Sequence, residues 1–146
     1  MLRKEFVKKK VGLIQEELGN LLVFKDFTLN EITKDFFKYN ALERILEKII
    51  MRAIDVNQHI IVELADEKTK TPSNYRETFT EIAKIGVYPE EFGQKISQSV
   101  GTRNILVHDY DDEKTDYEKI YNSVGDCLKE YHEYCEYILN FLDKDV

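Results

Sequence analysis

Arg103, Asn104, His108 and Tyr110 fall within the string Arg103-Asn104-Ile105-Leu106-Val107-His108-Asp109-Tyr110, in a chain of 146 residues with only three histidines. An imidazole with an unperturbed pKa of ~6.5 has acid and base forms at hand near neutral pH, so His108 is a candidate for proton transfer. Arg103 suits an anion, because its planar guanidinium stays charged and can grip two phosphate oxygens at once. Asn104 can orient either group by hydrogen bonding. Tyr110 presents a phenol among Asp109, Asp111 and Asp112, in a charged stretch that reads as a loop between two helices.

These side chains can meet only if the backbone cooperates. On a regular α-helix Asn104 and His108 share a face, whereas Arg103 points about 140° away from His108 at ~100° per residue. The spacing makes sense if a helix ends around Val107, with His108 and Tyr110 on the exit and Arg103 swinging round. Ile105, Leu106 and Val107 would pin that turn to the core.

The positioning elements are predicted to be helical throughout. Two prolines, six glycines and a Leu/Ile/Glu/Lys-rich composition, with no sustained period-2 alternation, point to an all-α chain. A first helix should run from about Leu2 into the high twenties, weakened by Gly12 and Gly19. A second, capped by Asn30, should continue to about Glu63, its core stripe including Leu42, Leu46, Ile49, Ile50, Ala53 and Ile60. Asp66 to Asn74 reads as the longest loop. Asn74 with Glu77 has capping-box spacing and opens a short helix that Gly86 can end at about Ile85. Pro89 stands where a first helical residue belongs, so a further helix runs from there toward the signature. Thr115 and Glu118 form another capping pair, opening a last helix to Phe141. The architecture expected is an up-and-down bundle of four main helices plus one short extra helix, residues 1–146 forming one domain.

Composition narrows the function classes. The 28 acidic against 21 basic residues give a formal charge of −7, which opposes broad attraction to a polyanion but leaves room for a locally basic cleft. No run reaches the ~18 to 20 apolar residues of a membrane span. Met1-Leu2-Arg3-Lys4-Glu5-Phe6 lacks the apolar block of a secretory signal, so a cytoplasmic location is expected. Cys127 and Cys135, roughly 12 Å apart along one helix, are too distant for a disulfide and read as ordinary thiols. No metal-ligand spacing occurs among His59, His108 and His132, and no cofactor is implied.

The order Arg-Asn-x-x-x-His-x-Tyr after a helical run resembles the signature of the HEPN superfamily, in the variant carried by HepT-like toxins. The Ala41–Leu46 and Ala53–Val56 pieces, Pro72, Tyr75 and the Gly101-x-Arg103-Asn104 approach are similar to the family too. Thr102, where an apolar residue is usual, and Asp109 depart from it. The resemblance implies a four-helix fold and a metal-independent ribonuclease centre of Arg103 and His108, assembled from two subunits of a homodimer. It implies that a cognate MntA-like nucleotidyltransferase antitoxin silences this toxin by attaching AMP to Tyr110. The chemistry of the residues agrees: RNA cleavage needs proton transfer at the 2′-hydroxyl and the leaving oxygen, and a cation against the phosphorane-like transition state. An adenylyl group beside His108 would add bulk and negative charge that repel RNA.

Two other readings stand beside this one. The chain could be a non-enzymatic helical partner of a nucleotidyltransferase, its signature only an anion site, or a bundle in which Arg103 and His108 merely pin a helix end. Arg52, Asp55 and His59 form a polar stripe on the second helix. Asp55 either orients Arg103 or His108 across the bundle or makes a surface pair with Arg52. His59 reads as a hydrogen-bonded, partly buried histidine, and Lys8-Lys9-Lys10 as a solvated face.

Overall fold

Apolar side chains recurring at three- and four-residue steps can be buried only against one another, and seven α-helices among the described residues do so here. They are α1 (Lys4–Val23), α2 (Leu29–Thr33), α3 (Phe36–Leu64), α4 (Tyr75–Ile85), α5 (Glu90–Ser97), α6 (Ser99–His108) and α7 (Tyr117–Asp143), with a 3-10 turn at Phe24–Asp26. The computed structural model describes residues 1–108 and 117–144, with the backbone alone at 107 and 108, and no strand occurs among them. The all-α bundle expected from composition is the observed class. Its long helices α1, α3 and α7 enclose the core, α1 packing on both α3 and α7. The α6 helix fits against α3 and α7, and α4 lies across α3 and α5. No helix among the described residues is long and apolar enough to cross a membrane.

Local chemistry sets the boundaries. The helix expected from Asn30 to Glu63 is two helices, because two caps compete for its start. Thr28 and Glu31 form a reciprocal capping box that opens α2. Asp35 then accepts hydrogen bonds from Phe37 and Lys38 and opens α3. Asn30 sits inside α2, where its carbonyl accepts the Thr33 hydroxyl. The α1 helix runs unbroken through Gly12 and Gly19. Asn74 caps α4 by accepting from the Glu77 amide at 3.0 Å, and Gly86 ends it with φ of 103°. Pro89 lies one position before its expected place, as the N-cap of α5. The Thr115 cap lies outside the described residues.

The helix leading to the signature is also split, at Gln98. Ser97 and Ser99 turn their hydroxyls onto the carbonyls of Gln94 and Ile96, a local alternative that disturbs a regular ladder. The Ser99 hydroxyl also meets that of the buried Tyr131 on α7 at 2.7 Å. This bond ties the start of α6 to the core. Cys127 and Cys135 are free and buried in α7. Burial pushes the Cys135 thiol up to about 12 and Cys127 higher still.

Candidate active site

Position 103 falls in the second turn of α6, and this helix runs to His108, within one residue of the expected stop around Val107. Leu106 is buried and Ile105 packs against the core, anchoring the helix as expected. The Arg103 guanidinium does not swing. Its Nε donates to the Met51 sulfur of α3 at 2.9 Å, and its plane lies over the Tyr75 ring of α4 at 4.8 Å. Stacking on an aromatic face and an Nε bond to a thioether fix the side chain from two directions. Both terminal nitrogens are left without a partner among the described residues. The fork of this half-buried side chain is then aimed by the bundle.

Tyr75 is itself held in place. Its carbonyl accepts the Thr78 hydroxyl at 2.7 Å, and Thr78 accepts from the buried Asn57 amide of α3 at 3.2 Å. Asn57 in turn accepts the Tyr134 hydroxyl of α7 at 2.5 Å. A buried polar chain therefore runs from α7 through α3 to the first turn of α4, and so to the ring beneath Arg103.

Asn104 is exposed and lines an open groove of about 600 Å³ between α4 and α6, together with Ser73, Asn74, Tyr75, Arg76 and Val100. Arg76 lies against Gly101, where a Cβ would sit 3.3 Å from its Nη2 atom. Arg76 thus places a guanidinium on this groove, on a chain of net charge −7. On another side of α6, Ser99 and Thr102 line a smaller cavity of about 120 Å³ with Asp126 and Glu130 of α7. Glu130 is only 9% exposed, and burial, then the charge of Asp126, holds its carboxyl above the usual range. The α6 helix separates the groove that holds Arg76 from a cavity that holds Asp126, Glu130 and Lys95.

The signature residues are brought together only in part. Asn104 lines the α4–α6 groove and Arg103 lies over Tyr75, which lines it too, with position 108 a turn beyond Asn104 on the same helix. The side chain of His108, and Tyr110 altogether, lie outside the described residues. Asp55 is bonded to Lys10 of α1 at 3.2 Å, not to Arg52 or Arg103. Arg52 donates to the Leu13 carbonyl instead. His59 accepts the Arg3 amide and stacks near Phe6, the hydrogen-bonded, partly buried histidine expected. Met51 and Arg76 escaped sequence reading, and Tyr75 was singled out only for its likeness to the family. At Gly101 the missing side chain leaves room for Arg76.

The string Arg-Asn-x-x-x-His thus lies along α6 of an all-helical bundle, with position 108 at the end of the helix. Residues 14–138 match the model of the family described as Ribonuclease HepT-like. The chain is 32% identical over 136 residues to the "tRNA nuclease HepT" of Aphanizomenon flos-aquae, covering 93% of this chain and 89% of that one. It is 28% identical over 105 residues to the "mRNA nuclease HepT" of Shewanella oneidensis, covering 71% and 70%. Its fold matches that of a tri-AMPylated Shewanella oneidensis HEPN toxin, solved in complex with its MNT antitoxin, with a TM-score of 0.77 at 20% identity over 92% and 97% of the two chains. The chain belongs to the HepT-like ribonuclease family.

Proposed function

We propose that this protein is the toxin of a toxin–antitoxin pair, an endoribonuclease that cuts RNA without a metal through Arg103 and His108. The observation that carries this reading is the Arg103 fork, fixed by Met51 and Tyr75 on the helix whose last residue is His108. A guanidinium preset where negative charge gathers on a phosphorus stabilises the transition state at no cost in reorganisation. The substrate's 2′-oxygen attacks the phosphorus as its proton leaves, the bond to the 5′-oxygen breaks, and that oxygen takes up a proton. His108 serves one of these transfers. Asn104 steadies the phosphate or the imidazole. The products are a 2′,3′-cyclic phosphate and a 5′-hydroxyl.

The active unit in this reading is a homodimer whose two signatures face one cleft, and a nucleotidyltransferase antitoxin silences it by adenylylating Tyr110. Support comes from the family, and from the AMPylated toxin of like fold with its antitoxin bound. Purified protein should cleave RNA in the presence of EDTA and leave cyclic phosphate ends, and His108→Ala should lose this activity. Equal cleavage by His108→Ala would overturn the mechanism. Co-expression with the nucleotidyltransferase encoded beside it should add AMP units to the intact mass, and Tyr110→Phe should abolish the increase.

A further inference from the structure

The groove between α4 and α6 holds more than the signature needs. Arg76 is exposed and has no hydrogen bond or ion pair to any described residue, yet its guanidinium is laid along α6 by the absence of a side chain at Gly101. Asn104 lines the same space, as does Tyr75, whose ring lies under Arg103. The nearest carboxylate in sequence, Glu77, is turned away, accepting from the Ser73 amide and hydroxyl and pairing with Lys70. A volume of about 600 Å³ lies within the range of a small-molecule site and accommodates one nucleotide. Arginine and an amide are the side chains that meet phosphates and base edges in single-stranded RNA.

We propose that this groove takes one nucleotide of the RNA substrate beside the cleaved bond, with Arg76 gripping its phosphate and Asn104 meeting its sugar or base. This rests on the ribonuclease reading above and adds a contact beyond the signature. Arg103 acts on the scissile phosphate and Arg76 on its neighbour, so the strand is held at two points along its backbone.

The test is binding of a fluorescein-labelled single-stranded RNA to His108→Ala protein, followed by anisotropy between about 50 and 200 mM salt. Adding Arg76→Gln, which keeps a helix-forming side chain of similar length, should raise Kd about tenfold and flatten the slope of log K against log salt by ~0.7, the loss of one phosphate contact. Arg76→Lys should keep the slope. In the active protein Arg76→Gln should raise KM more than it lowers kcat. Unchanged Kd and slope in a folded Arg76→Gln protein, while the wild type still cleaves RNA, would overturn the groove assignment and leave the ribonuclease reading intact. Absence of RNA cleavage by the wild type would instead overturn the reading beneath it.

Discussion

Arg103 owes its orientation to two residues that nothing near it in sequence announces. A lysine at this position would keep the charge but lose the planar stack on Tyr75, the Nε bond to Met51 and the forked grip on phosphate. Arg103→Lys should therefore lower single-turnover RNA cleavage by about tenfold or more, with little change in melting temperature. Met51→Leu conserves volume, so its stability cost should stay below ~1.5 kcal/mol, while cleavage falls because Nε loses its acceptor. Full activity in both variants would show that the fork needs no preset orientation. At Asp55 the expectation is the opposite: its bond to Lys10 is only partly buried and away from Arg103, so Asp55→Asn should leave cleavage within about twofold in the same assay. The sequence showed the chemistry of Arg103, Asn104 and His108 because residue type and spacing carry it. It did not show that Met51 and Tyr75 would hold Arg103, because contacts between residues this far apart in sequence depend on how the helices pack.

Helices and their stops were legible wherever one cap residue dominated. Asn74, Gly86 and the long apolar stripe of α3 behaved as their chemistry dictates. Misreadings arose where two local signals competed, as with Thr28 and Asp35 flanking the expected cap Asn30, and with the serines that break α5 from α6. Asn57 was invisible for another reason: an amide within an apolar stripe gains meaning only from its partners on α4 and α7. Those partners make the element-scale prediction. Tyr134→Phe removes a hydroxyl that donates to Asn57 and lies near the Ala53 carbonyl, leaving the Asn57 oxygen buried without its donor. The cost should be about 1 to 3 kcal/mol, read from urea denaturation. Because the chain of bonds continues to Tyr75, cleavage should fall under conditions where the variant remains fully folded. A stability loss with unaltered cleavage would separate the core network from the site.

The net charge of −7 describes the molecule only as an average, and its distribution decides how stability responds to pH. Glu17 and Glu130 are both largely buried, yet their environments act in opposite directions. Burial alone would raise the Glu17 carboxyl, but hydrogen bonds from Lys48 and Asn20, with the charges of Lys48 and Arg52, outweigh it and hold the group below the usual range. Its contribution is present above the unfolded-state value and lost as pH falls through the folded one. At Glu130 the charges of Lys95 and Lys129 favour the ionised form but are outweighed. Burial, then Asp126, raises its carboxyl, so the ionised form opposes folding above the folded value, and the penalty vanishes below the usual glutamate range of about 4 to 4.5. Glu130→Gln keeps the shape and removes the charge from the cavity behind α6. Its melting temperature should exceed that of the wild type at pH 7.5, and the two should converge as the buffer is taken toward pH 4. An equal difference at both pH values would mean that packing rather than charge sets the cost of Glu130, and a lower melting temperature at pH 7.5 would mean that its carboxylate is favourably held.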